Sequence, residues 1–326
     1  MKRILSFLLI FSMFILPSGC NQNDAQDQGL QKVTVLLDWF PNTNHTGLYA
    51  ARELGYFEEV GLDVDIIQPS EGGTAQLIAS GQGDFGVSYQ EEVTIARSQD
   101  IPVVAVAAVI QHNTSGFASP ADRNIKTPAD FEGKTYGGWG SPAETAMIKA
   151  LMDKYDADIN QVNFINIGSA DFFTSIEKDI DFSWIYWGWT GIEASNKNLD
   201  LNFVQISKEI ETLDFYTPVL ITNEDKIAQD PELIEKFLQA ATKGYEYAIA
   251  SPNEAAALLT KNVPELDSEL VKASQQYLAE QYQADAERWG EMQPEIWKSY
   301  ADFMYENALI ESNIEADKAF TNQFLP

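Results

Sequence analysis

From Val33 onward, short apolar runs alternate with amphipathic stretches. Residues 33–37 (VTVLL), 62–67 (LDVDII), 84–88 (DFGVS) and 102–110 (PVVAVAAVI) have the β-branched, apolar character of strands. Between them, LYAARELGYF runs as a helix to about Gly55 and 74–80 as a shorter one. A second series starts near residue 120, with strands predicted at 134–139, 161–167, 181–187, 201–207 and 217–223. Ser141-Pro142-Ala143-Glu144 has the form of a capping box with proline at the first helical position, so a helix opens there and runs to Tyr155. After residue 223 the pattern is mainly helical, with starts at Asp230-Pro231, Ser251-Pro252 and Pro294. Strand and helix in succession predict an α/β fold built on mostly parallel sheets.

Two such series predict two lobes, with the chain crossing between them near His112–Ser119 and again near Asp214–Val219. Lobe 1 is assigned residues 33–115 plus 220–326, and lobe 2 residues 116–219. The C-terminal helices are expected to return to lobe 1. In open α/β sheets ligands sit beyond the carboxyl ends of strands, which here face a cleft between the lobes.

The first twenty residues stand apart. Lys2 and Arg3 precede an apolar stretch, Ile4 to Leu16, that suits a signal peptide better than a membrane span. Small residues Ser18 and Gly19 then lead to Cys20, in a position that resembles the lipobox of bacterial lipoproteins, although Pro17 stands where that box usually has leucine. Residues 1–20 are therefore expected to be a lipoprotein signal peptide ending at a lipidated Cys20, and the polar residues 21–32 a flexible tether. That places the protein on the extracytoplasmic face of a bacterial membrane, held by its lipid and expected to be a monomer.

Charge narrows the partners. With 21 basic and 49 acidic side chains the formal charge is −28, which argues against nucleic acid as a partner. Cys20 is the sole cysteine, so an internal disulfide and any multi-cysteine metal site are excluded. The two histidines, His45 and His112, lack metal-ligand spacing, and neither a phosphate-binding loop nor a nucleophile elbow occurs. No cofactor, metal or catalytic residue is expected.

The strand ends carry the candidate chemistry. Asp38-Trp39 sets a carboxylate beside an indole face, which a helix N-cap with a buried tryptophan explains equally well; Tyr89-Gln90 repeats the pairing of an aromatic with a polar group, and there a capped helix start is the better explanation. Residues 181–193 (DFSWIYWGWTGIE) hold five aromatics; Phe182 and Trp184 are expected in the core, and Tyr186, Trp187 and Trp189 at the cleft, with Glu193 just beyond. Ser141 and Glu144 head a helix at another strand end. The ten residues together describe a slot for a flat heterocycle, with aromatic faces for stacking and Asp38, Glu144 or Glu193 accepting from amino groups. No arginine lies at these strand ends, which disfavours an anion.

The segments 36–64 (LLDWFPNTNHTGLYAARELGYFEEVGLDV), 83–92 (GDFGVSYQEE), 136–144 (YGGWGSPAE), 181–193 and 214–223 (DFYTPVLITN) resemble the thiamine-pyrimidine family of importer binding proteins. The resemblance runs from about residue 33 to the C-terminus. It implies a type II periplasmic-binding-protein fold that closes over N-formyl-4-amino-5-aminomethyl-2-methylpyrimidine and delivers it to an ABC permease. It also implies stacking on Trp39 and on Tyr186 or Trp189, with Glu193 at the amino edge. The same family includes synthases that make the pyrimidine from pyridoxal phosphate and their own histidine. His45 matches the family's Asn-His pair, but those enzymes carry a cysteine-rich iron-binding motif that this chain lacks.

Overall fold

Ten strands among the described residues build two five-stranded sheets. The computed structural model describes residues 29–68, 73–168 and 170–326; the expected signal peptide, Cys20 and the expected tether through residue 28 lie outside them. The last two tether residues belong to the fold, since Gln31 and Lys32 begin β1 and pair with Leu62 and Asp63.

Sheet A runs in the order β2-β1-β3-β10-β4, from β1 (Gln31–Leu36), β2 (Leu62–Ile67), β3 (Phe85–Ser88), β4 (Val103–Ala108) and β10 (Val219–Asn223). Sheet B has the order β7-β6-β8-β5-β9, from β5 (Ser115–Pro120), β6 (Thr135–Gly138), β7 (Asn163–Asn166), β8 (Phe182–Tyr186) and β9 (Leu201–Gln205). Both sheets are mixed rather than nearly all parallel. β10 is antiparallel to β3 and β4, and β5 is antiparallel to β8 and β9. Each is the first strand laid down after a crossing, from Ala108 to Ser115 and back from Gln205 to Val219. β5 had been expected as part of the connection. It is a strand inside the sheet, and Gly116 is small because a Cβ there would lie 2.4 Å from the Val204 carbonyl oxygen.

Each sheet has its own core. In sheet A, Val33, Val35, Phe85 and Val87 pack with Phe237 and Leu238 of the helix Pro231–Ala250, and Phe85 stacks on Phe237 at 3.8 Å. That helix crosses Thr46–Glu53 so closely that a Cβ on Gly244 would sit 2.1 Å from the Gly47 carbonyl oxygen. In sheet B, Phe117, Phe131, Tyr136 and Phe182 form an aromatic cluster, with Phe131 and Phe182 stacked at 4.3 Å. Phe182 and Trp184 are buried as expected.

The C-terminal helices do not confine themselves to sheet A. In Pro294–Glu306 the apolar stripe is divided: Trp297 joins the sheet-A core, while Tyr300 and Met304 join the sheet-B core. One face of this helix thus covers both lobes. The helix Ser268–Ala279 receives the turn after β8, where a Cβ on Gly188 would meet Leu278 at 2.8 Å. The last residues add to the edge of β4, with Ala105 N–H donating to the Ala319 carbonyl at 2.9 Å and Thr321 N–H to the Ala105 carbonyl at 2.9 Å. That pairing covers an otherwise open strand edge.

Candidate functional site

Beyond β1 the chain makes a tight turn that fixes Asp38. The Asn42 side chain accepts from Asn44 N–H at 2.9 Å, and Asn42 N–H donates to His45 Nδ1 at 3.1 Å. With Nδ1 accepting, the buried His45 ring carries its proton on Nε2 and donates it to Asp38 Oδ1 at 2.8 Å. The turn is pinned from behind by Tyr282, whose hydroxyl donates to the Thr43 carbonyl, and by Tyr245, which donates to that of Asn44. His45 therefore orients a carboxylate. Next to it, Trp39 is 56% exposed and meets the equally open Phe40 edge to face at 5.9 Å.

At the end of β3, four consecutive residues divide their roles. Tyr89 is exposed on one side, and burial of the other pushes its phenol well above the usual range, with Glu92 and Glu91 adding to the rise. Gln90 is fully buried: its Oε1 accepts from Tyr216 N–H at 2.9 Å and its Nε2 donates to the Ile296 carbonyl at 3.3 Å. It ties the returning chain and the Pro294–Glu306 helix together. Glu92 accepts from the Ser88 hydroxyl and from Ala75 N–H, and burial raises its carboxyl. Glu91, only 9% exposed, faces Ser141 and Glu144 of the other lobe. Burial, then the charge on Glu144, push it up to about 7, against a bond from Ser141 that lowers it.

Sheet B contributes the loop after β6. Glu144 is 2% exposed and accepts four hydrogen bonds, from the Tyr136 hydroxyl and from the N–H groups of Trp139 (3.2 Å), Gly140 (2.8 Å) and Ser141 (2.7 Å). Ser141 Oγ accepts from Ala143 N–H at 3.2 Å, completing the capping box. Gly138 leaves space for the carboxylate, since a Cβ there would lie 2.0 Å from Glu144 Oε1, and Gly140 supplies the left-handed φ of +88°. Glu144 thereby shapes the loop that holds Trp139, 45% exposed and tilted against Trp184 at 5.1 Å.

After β8 the aromatics part company. Tyr186 reaches the slot: its phenol bonds Thr217 and is pushed up to about 12, by burial first and then by Glu91 and Asp38 of the facing lobe. The π-helix Trp187–Gly191 carries the other two elsewhere. Trp187 packs on Phe203 at 4.8 Å, and Trp189 joins Tyr49, Ala256 and Leu259 of sheet A's helices. Glu193 pairs with Lys197 at 2.7 Å along its own helix.

Of the ten residues singled out in the sequence, the structure brings Asp38, Tyr89 and Tyr186 near one another, with Ser141 joining through Glu91, while Trp39 stands exposed beside Asp38. Gln90, Glu144, Trp187, Trp189 and Glu193 make the protein contacts just described. Glu91, Glu92 and Trp139 were missed. An acid pair in a helix's first turn reads as capping, and a tryptophan between glycines reads as a loop; their signal was adjacency to the chosen residues. Among the described residues no lysine or arginine pairs with Asp38, Glu91, Glu92 or Glu144, and no three His, Cys, Asp or Glu side chains are placed to hold a metal ion. No described helix is long and apolar enough to cross a membrane. A surface hollow of about 410 Å³ between Pro294–Asp302 and Asn313–Asp317 shares no residue with the slot.

The formylaminopyrimidine-binding protein of Halalkalibacterium halodurans is 31% identical over 98% of this chain and 98% of its own. A Saccharomyces cerevisiae 4-amino-5-hydroxymethyl-2-methylpyrimidine phosphate synthase, THI13, is 27% identical over 73% of each chain. Among solved structures, the periplasmic aliphatic sulphonate binding protein SsuA of Escherichia coli superposes with a TM-score of 0.68 at 12% identity, covering 89% of this chain and 91% of that one. The fold is the two-lobed α/β fold of periplasmic binding proteins, and the chain is a binding protein rather than an enzyme. The family profile described as NMT1/THI5 like matches residues 42–255, so the chain belongs to the NMT1/THI5-like family.

Proposed function

We propose that this chain is the solute-binding component of an ABC importer that takes up N-formyl-4-amino-5-aminomethyl-2-methylpyrimidine for thiamine salvage. The observation that carries the reading is the slot itself, with exposed aromatic faces and buried carboxyls contributed by both lobes and without a paired cation. A flat ring bearing N–H donors fits that chemistry, stacking on Trp39 or Tyr186 with carboxyl oxygens at its amino edge. The name of the Halalkalibacterium relative supports the same ligand. Ligand contacts made from both lobes at once favour the closed state, which the permease then reads. A lipid on Cys20 holds the protein at the outer face of the membrane.

The test is calorimetric titration of the mature, unlipidated protein with formylaminopyrimidine, hydroxymethylpyrimidine, thiamine, riboflavin and taurine. Tight binding of the formylated pyrimidine alone is expected. Preference for riboflavin or thiamine would keep the class and replace the ligand.

A further inference from the structure

The carboxyls around the slot are not equivalent. Glu144 accepts four hydrogen bonds and Glu92 two, while Asp38 is held by His45. Glu91, only 9% exposed, lies beside Ser141 and Glu144 of the opposite lobe, and no described lysine or arginine pairs with it. Acids and phenols surround it on every element that approaches: Glu92 on its own helix, Glu144 beyond Ser141, Tyr89, Tyr186 after β8, and Tyr300 on the Pro294–Glu306 helix. The Tyr300 hydroxyl is fully buried and has no hydrogen-bond partner among the described residues.

The geometry points to Glu91 as the specificity-determining residue, reading the amidine edge of an aminopyrimidine as a neutral carboxylic acid whose O–H donates to the ring nitrogen while its carbonyl oxygen accepts the amino N–H. This rests on the reading of the slot as an aminopyrimidine site. Crowding by other acids without a compensating cation disfavours the carboxylate, in keeping with the rise to about 7. Nothing covalent happens. Below pH 7 the acid is already protonated in the free protein; above it, one proton must be taken from solvent for each ligand bound.

The experiment measures the Kd of formylaminopyrimidine from pH 6 to 9.5 by calorimetry for the full mature protein and for Glu91→Gln, Glu91→Ala and Glu92→Gln. One proton per ligand predicts an affinity that is level at low pH and falls about tenfold per pH unit above 7. Glutamine presents the same donor and acceptor without a titratable proton, so Glu91→Gln retains the low-pH affinity and loses the slope. Glu92→Gln keeps the slope, and Glu91→Ala loses the slope and binds at least about tenfold more weakly than wild type at pH 6. A flat wild-type profile overturns the inference while leaving the ligand assignment standing. So does a slope that survives in Glu91→Gln, or a Glu91→Gln variant as weak as Glu91→Ala. No heat from the wild type with any pyrimidine at any pH overturns both.

Discussion

His112 gives the sharpest test of how the two lobes are joined. It lies on the first crossing, and its ring bridges Asp214 of the second crossing (Nδ1 to Oδ2, 2.7 Å) and Asp285 of the segment before Pro294 (Nε2 to Oδ1, 2.9 Å). Both ring nitrogens face carboxylates, so the arrangement is satisfied only by the doubly protonated ring. The hydrogen bond to Asp214 is the first cause of a pKa raised to about 9, against an ordinary 6.5. At face value that rise amounts to about 3 kcal/mol. The imidazole is 42% exposed and Asp285 82%, however, and screening by water leaves about 1 kcal/mol. Because the folded-state pKa is the higher one, this stability is fully present below about pH 6.5 and is lost as pH rises through 9. Replacing His112 by Gln should therefore lower stability by about 1 kcal/mol at pH 6, a fall of about 2–3 °C in Tm, and by almost nothing at pH 10. Urea unfolding of both proteins across that range isolates the histidine, because every other titration is common to the pair. Parallel stability profiles from pH 6 to 10 would refute the latch.

Three further outcomes follow from the site and its supports. Trp39→Ala should weaken pyrimidine binding by about 1–2 kcal/mol while leaving the urea midpoint unchanged, since an open indole supports stacking and not the core; calorimetry and unfolding on one preparation check both. Glu144→Ala removes the acceptor of four hydrogen bonds and should lower stability by about 2–4 kcal/mol, read from urea unfolding, with loss of binding as the Trp139 loop relaxes. Gly244→Ala should destabilise by about 1–3 kcal/mol, because its methyl group would press on the Gly47 backbone and force the two helices apart; a Tm within 1 °C of wild type, roughly a quarter of that effect, would count against the close crossing.

The apolar, β-branched character of short runs was enough to find nine of the ten strands, including β3, β4 and β10, which are buried along their whole length and do not alternate. It missed β5 for a reason that Gly116 makes plain. Glycine and serine were read as connection, whereas here they allow β8 and β9 to approach from either side. The site was legible at the level of which strand ends matter, and less so at the level of side chains. Gln90 and Glu91 are adjacent on one helical turn, and only the packing of Tyr216 and Ile296 decides that the amide goes to the core and the acid to the slot. Likewise the aromatic run after β8 carries no mark of the π-helix that turns Trp187 and Trp189 away from Tyr186. The helix starting at Pro294 was legible from its proline, but the fact that it covers two cores depends on where the sheets lie.

Sharing a fold with a sulphonate-binding protein does not extend to sharing its ligand, and the charges decide this. Each described arginine is engaged away from the slot: Arg52 with Asn262, Arg97 with Glu224, Arg123 with Asp181 and Arg288 near Glu291. An anion in the slot would come near Asp38 and Glu91, with Glu92 and Glu144 behind them, and no described lysine or arginine pairs with any of the four. At about 6 Å from a single carboxylate, with an effective dielectric of about 20, repulsion alone is roughly 3 kcal/mol, more than a hundredfold in affinity. Neutralising Glu91 by a proton removes only one of the charges. Ethanesulfonate, an anion without the ammonium group of taurine, should therefore give no measurable heat at pH 7.5 under conditions in which the aminopyrimidine saturates the protein. Ethanesulfonate binding of comparable strength would mean that the anion is held outside this slot, and that the buried carboxyls serve only the closure of the lobes.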